Sequence, residues 1–150
     1  MHGLAINDPK LNFSSSHFIV DHERCERLHG HNYRVRAEVT GALLDSFMVM
    51  DFKEIKDRIN AVCERLDHKV LLPKNSSSLV IKEKSGQLEV KTHSKFYSLP
   101  KEDCVLLPIK ATTAEELARY VFRELKKSLP QLRKIYVAES EGSTAFYSED

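Results

Sequence analysis

The stretch Cys25-Glu26-Arg27-Leu28-His29-Gly30-His31-Asn32-Tyr33-Arg34-Val35-Arg36-Ala37-Glu38-Val39-Thr40 joins a charged loop to a long alternating run. Side chains of a β-strand alternate faces, so His29 and His31 point the same way and share their face with Tyr33, Val35, Ala37 and Val39. Upstream, Phe13, Ser15, His17 and Ile19 follow the same two-residue period. A neighbouring strand could bring His17 beside the pair and give three neutral nitrogen ligands. Zinc with three protein ligands and an open fourth position is the catalytic arrangement, whereas four protein ligands make a closed structural site. Cys25 is close enough in sequence to be that fourth ligand, and the spacing alone leaves the choice open.

Working outward, the pattern predicts a first strand over 11–20, a loop over 21–28, a second strand over 29–40, a turn at Gly41 and a short third strand over 47–50. Asp51 then stands as an N-cap with Glu54 three positions on, a capping-box opening, and Ile55, Ile59, Val62 and Leu66 form an apolar helical stripe. That helix closes near Asp67-His68. A second helix opens at Thr113 with Glu116 to complete its box, buries Leu117, Ala118, Val121, Leu125 and Leu129, and stops at Pro130. Between the helices, 79–81 and 88–90 flank Ser85-Gly86 and suggest a hairpin, so 74–110 reads as an insertion. The last strands are 133–139, with Ile135, Val137 and Glu139 on one face, and 143–147. The whole predicts one α+β domain over 1–150: an antiparallel four-stranded sheet, two helices packed on one face, and an inserted hairpin.

Composition supports a single packed domain and narrows its partners. At 150 residues and 41% hydrophobic, the chain holds enough apolar side chains for a real core. With 23 basic against 22 acidic residues the net charge is +1, so no broad basic field exists to hold nucleic acid or an anionic membrane surface. No window approaches a membrane span and the first ten residues lack an apolar signal core, so a soluble cytoplasmic protein is expected. Three widely spaced cysteines, Cys25, Cys63 and Cys104, fit a reducing compartment better than a disulfide framework. Cys63 and Cys104 read as small core residues.

Other residues can carry chemistry. Cys25 lies beside Arg24 and Arg27, a setting in which a thiol near a divalent cation can act as a base. In Asp67-His68 a carboxylate beside an imidazole can fix its tautomer and suit it to proton transfer. Glu139, an inward carboxylate at a strand end, could accept two parallel hydrogen bonds from a guanidine-like amino-pyrimidine edge. Glu115 sits in the first turn of a helix, where an acid commonly offsets the dipole. His2, His22 and His93 have no comparable partners and read as surface residues.

Taken together, these segments resemble the 6-pyruvoyl-tetrahydropterin synthase superfamily, and within it the 6-carboxytetrahydropterin synthase (QueD) branch. The resemblance runs through the His17 strand, Cys25 to His29-Gly30-His31, Met50-Asp51-Phe52, Leu66-Asp67-His68, Thr113-Ala114-Glu115 and Val137-Ala138-Glu139. It implies a tunnelling fold (T-fold), a Zn2+ cofactor on His17, His29 and His31, proton transfer by Cys25 with Asp67 and His68, and a pterin pocket lined by Thr113 and Glu115 and anchored by Glu139. The implied reaction converts 7,8-dihydroneopterin triphosphate to 6-carboxytetrahydropterin with release of acetaldehyde and triphosphate, a step toward the 7-deazaguanine nucleosides queuosine and archaeosine. The implied assembly is a homo-hexamer, a dimer of trimers, with active sites at subunit boundaries. Three residues between Cys25 and His29 match the carboxy branch, since the pyruvoyl branch, which eliminates triphosphate without losing carbon, usually has about five. A zinc or pterin-binding protein without turnover is the remaining alternative. The 74–110 insertion departs from the compact members of the superfamily.

Overall fold

The computed structural model describes residues 1–149. Twelve elements follow the chain: β1 (His2–Ile6), β2 (Asn12–His17), β3 (His29–Gly41), α1 (Phe52–Leu66), β4 (Lys69–Pro73), β5 (Val80–Lys84), β6 (Gln87–Lys91), β7 (Phe96–Pro100), β8 (Cys104–Leu107), α2 (Ala114–Lys126), β9 (Leu132–Ser140) and β10 (Ser143–Ser148). The four antiparallel strands expected from the alternation are present as β10-β9-β3-β2. They belong to a larger seven-stranded sheet, because β4 joins β2 in parallel, β8 joins β4 in parallel, and β1 pairs with the far end of β3. The fold is α+β, with mixed strand directions at one edge.

Both helices pack on one face of this sheet. Phe13, Tyr33, Val35, Ala37, Ile135 and Val137 supply the sheet side of the core, and Ile55, Ile59, Leu66, Leu117, Val121, Phe122 and Leu125 supply the helix side, all fully or almost fully buried. Removing this much apolar surface from water, at about 25 cal/mol per Å², is the main force holding the layers together. Asp51 caps α1 by accepting from the Lys53 backbone N–H at 2.7 Å, and Thr113 caps α2 by accepting from the Glu116 N–H at 3.3 Å. Neither capping box closes. Glu54 pairs with Arg58 and Glu116 with Arg119 one turn on, where a cation is a better partner than a backbone N–H already near a cap.

Three departures from the sequence-based expectation have physical causes. The strand expected over 47–50 is a turn, with Phe47 at φ 61° and hydrogen bonds from Phe47 N to Leu44 O and from Leu44 N to Met48 O. A strand needs a free ladder edge, and the corresponding edges of β3 are taken by β1 and β9. The insertion holds a three-stranded sheet, β5-β6-β7, in place of a two-stranded hairpin. It also returns to the main sheet as β8, whose short apolar run, like that of β4, lacks the alternation that marks a half-exposed strand. A small second core of Phe18, Leu72, Leu88 and Val90 seats the inserted sheet beside the end of β2.

Candidate active site

His17 ends β2 and His29 begins β3, and the antiparallel register pairs them directly. His31 follows two residues later on the same face. The three rings stand edge to face with centroids 4.7, 4.9 and 5.1 Å apart, and one nitrogen from each lies within 4.8 Å of the others. Gly30 makes this register possible. It faces Ser16, and a Cβ there would lie 3.2 Å from the Ser15 carbonyl oxygen, so a side chain would push β2 and β3 apart where they carry the imidazoles.

Backbone carbonyls set the tautomers. His17 donates from Nδ1 to the Thr112 carbonyl at 2.9 Å, and His29 donates from Nδ1 to the Arg27 carbonyl at 2.6 Å. Carbonyls only accept, so each Nδ1 carries the proton and each Nε2 keeps its lone pair for a metal. Burial pushes the His17 pKa down to about 4, with the neighbouring His29 and His31 adding a smaller push and the Thr112 carbonyl opposing it. A neutral imidazole is the ligand form. Beneath the cluster the fully buried Tyr33 stacks on Phe13 and places its hydroxyl 3.2 and 3.3 Å from the two nitrogens of His17. Burial, with the Glu139 charge behind it, raises the Tyr33 pKa, so the hydroxyl stays protonated. Three converging imidazoles, two of them with tautomers set by backbone carbonyls, fit zinc, three ligands leaving one position for substrate.

A cavity of about 600 Å³ opens over the cluster. His17, His29, His31, Cys25, Thr113, Glu115 and Glu139 all line it, which gathers seven residues named from the sequence into one site. A carboxylate oxygen of Glu139 lies 4.0 Å from His31 Nε2. The cavity also has walls that sequence reading did not supply. His22, assigned to the surface, lines it, as do Ile19 and residues of β10 from Ser143 to Phe146. The β10 wall follows from its pairing with β9 next to Glu139, a proximity that only the register reveals.

Asp67 and His68 lie elsewhere. Asp67 caps the end of α1, accepts from the Ser14 N–H at 2.7 Å, and accepts from His68 Nδ1 at 2.8 Å, so the expected carboxylate-imidazole pair is formed. The Ser14 hydrogen bond, assisted by His68, holds the Asp67 carboxyl below its ordinary pKa. His68 adopts φ 58° and its side chain is 83% exposed, facing a second cleft with Ser14, Ser16, Asn32, Lys69 and Asp103 that shares His31 as a wall with the first. Neither Asp67 nor His68 lines the cavity over the three imidazoles.

Residues 9–150 match the family model for 6-pyruvoyl tetrahydropterin synthase. The chain belongs to this family. A Methanocaldococcus jannaschii protein provisionally named a 6-carboxy-5,6,7,8-tetrahydropterin synthase is 42% identical over 123 residues, 81% of this chain and 76% of that one. A Haemophilus influenzae protein named 6-carboxy-5,6,7,8-tetrahydropterin synthase is 29% identical over 126 residues, 78% of this chain and 79% of that one. Among solved structures, a Plasmodium vivax 6-pyruvoyltetrahydropterin synthase, in a variant with a catalytic glutamate replaced by cysteine, superposes with a TM-score of 0.93 at 31% identity, covering 99% of this chain and 98% of that one. Coverage that complete takes in the inserted sheet, so the insertion is a departure from compact family members only. The T-fold expected from the resemblance is the fold observed. No helix among the described residues is long and apolar enough to cross a membrane.

Proposed function

We propose that this chain is a zinc-dependent 6-carboxytetrahydropterin synthase that converts 7,8-dihydroneopterin triphosphate and one water to 6-carboxytetrahydropterin, acetaldehyde and triphosphate. The observation that carries the reading is the convergence of His17, His29, His31, Cys25, Thr113, Glu115 and Glu139 on one cavity. Zinc on the three imidazoles would supply a Lewis acid for the side-chain hydroxyls of the substrate. Glu139 binds the amino-pyrimidine edge of the pterin through paired hydrogen bonds, and Thr113 and Glu115 shape the pocket at the start of α2. Cys25 removes a carbon-bound proton. Asp67 orients His68, which shuttles protons between side chain and ring. Because His68 opens onto a different cleft in its own chain, the working site takes His68 from a second copy, in keeping with an assembly of two trimers. Arg24 and Arg27, beside Cys25 in sequence, are the candidate basic groups for the triphosphate. The three-residue spacing between Cys25 and His29, and the names of the archaeal and bacterial relatives, support the carboxy product.

The Plasmodium vivax structure favours a second reading. In that protein a glutamate is the catalytic residue and cysteine its replacement, and this chain carries the two residue types side by side as Cys25 and Glu26. Under this reading Glu26 supplies the base, and the pyruvoyl product retains its carbons. The test is to incubate zinc-loaded protein with dihydroneopterin triphosphate and identify the products by mass spectrometry. Carboxytetrahydropterin with acetaldehyde supports the first reading. Pyruvoyltetrahydropterin without acetaldehyde supports the second, and absence of turnover overturns both.

A further inference from the structure

Cys25 and Glu26 are consecutive on a single turn of 3-10 helix, Glu23–Glu26, and their side chains go opposite ways: Cys25 lines the cavity, whereas Glu26 is turned to the inserted sheet. Within the segment itself one Glu26 carboxylate oxygen accepts from the Asp21 N–H at 3.0 Å, a single tie on that side chain. Asp21 and Glu23 sit at φ 60° and 48°, left-handed values that residues other than glycine adopt at a cost, and the segment's backbone ties are Cys25 N to His22 O, Arg27 N to Arg24 O and Ile19 N to Cys25 O.

The insertion supplies further ties. The turn between β6 and β7 is rigid in its own right: the buried Thr92 accepts through Oγ1 from the N–H groups of Ser94 and Lys95, and donates its own N–H to the Lys95 carbonyl. From that turn Lys95 Nζ donates to the Glu26 carbonyl at 3.2 Å, and Ser94 Oγ donates to Glu26 Oε1 at 3.4 Å. His93 Nε2 lies 3.5 Å from Asp21 Oδ1 and 3.8 Å from Glu26 Oε1. The other Glu26 oxygen accepts from the Asp21 N–H at 3.0 Å. The Glu26 side chain is only 16% exposed, so these contacts are made partly out of water, where they count for more. Below them Phe18 stacks on Tyr97 of β7 with centroids 5.1 Å apart, which fixes the inserted sheet to the strand leading into the turn.

We propose that the tip of the insertion, His93-Ser94-Lys95, is a positioning device for Cys25: by holding Glu26 outward it turns the neighbouring thiol into the cavity. The insertion thus decides which of two adjacent bases meets the substrate. This rests on the reading of Cys25 as the proton-accepting group, and the test separates the two ideas.

The test compares His93→Ala/Lys95→Ala with the parent protein and with Lys95→Arg, which keeps a donor near the Glu26 carbonyl. Zinc content and melting temperature establish that each variant is folded and loaded. Site-resolved mass spectrometry then follows alkylation of Cys25 by iodoacetamide, which needs no substrate. Release of the turn is expected to change the Cys25 alkylation rate by about threefold or more and to lower kcat by about tenfold with KM within about twofold, since a misplaced reacting group loses rate more than binding. Lys95→Arg is expected to stay near the parent in both. An unchanged Cys25 alkylation rate in the double variant overturns the proposal, whatever the reaction proves to be. A changed alkylation rate in a parent protein that turns over no pterin leaves the positioning role standing and removes the proposed function. Loss of zinc together with kcat also overturns it, by placing the effect at the metal centre.

Discussion

His17, His29, His31, Cys25 and Glu139 converge on one cavity within a single chain, whereas His68, bonded to Asp67, faces a different cleft on the same chain. Strand register builds the first group. Cross-strand pairing of His17 with His29 and the two-residue period of His29-Gly30-His31 leave the imidazoles nowhere to go but together. A helix end builds the second. Asp67 closes α1 and is tied to β2 at Ser14, which points His68 outward at φ 58°. Secondary structure alone therefore gathers the imidazoles, and under the proposed function the proton-shuttle side comes from a second copy.

The largest effect that could break this contrast lies on the metal side. His29→Ala removes one of the three proposed ligands, one whose tautomer the Arg27 carbonyl sets, and is expected to abolish zinc retention after dialysis and to lower turnover by about a thousandfold or more. Atomic absorption and product assays measure both, and full zinc retention would show that the cluster is not the metal site. A smaller effect is expected from Gly30→Ala, which touches no ligand. Its Cβ meets the Ser15 carbonyl at 3.2 Å, so β2 and β3 must separate slightly, and zinc affinity is expected to fall by about tenfold, the range seen when the supports of metal ligands are disturbed. Competition with a chelator of known affinity checks it.

The smallest effect is one of stability. Burial holds His17 neutral down to about pH 4, while the unfolded chain protonates it near 6.5. The contribution is complete above pH 6.5 and is lost as pH falls from 6.5 toward 4, to the extent of about 3 kcal/mol. Urea midpoints of metal-free protein should therefore drop between pH 7 and pH 4.5, and the drop should shrink in His17→Asn. A midpoint indifferent to pH across that window would contradict the buried, neutral assignment.

The difference in legibility between the two groups is itself physical. Alternation along β2 and β3 shows in the sequence because one face is wet and the other dry, and the histidines inherit that signal. The buried stripes of α1 and α2 and their caps at Asp51 and Thr113 are legible for the same reason. β4 and β8 were not, since short, uniformly apolar runs carry no period, and their pairing depends on residues more than thirty positions apart. His22 could not be assigned to the cavity from sequence, because nothing local marks which way a left-handed turn aims its side chains. Nothing in the sequence around His93 offers it a partner, yet the inserted sheet brings it to Asp21 and Glu26. The Asp67-His68 pair was legible as a carboxylate beside an imidazole, and the cleft it faces was not, because sequence spacing does not say which way a helix end turns its side chains.

Mixing two inactive variants tests the central claim most directly. Cys25→Ala and His68→Ala proteins are each expected to be inactive, zinc-loaded and folded. Unfolded together and refolded as mixed oligomers, they should recover activity approaching about a quarter of the parent value, because random assembly gives half of the sites an intact Cys25 and half of those an intact His68 from a second copy. Mixed oligomers, verified by native mass spectrometry, that show no recovery would place both residues on the same chain's site and contradict the account.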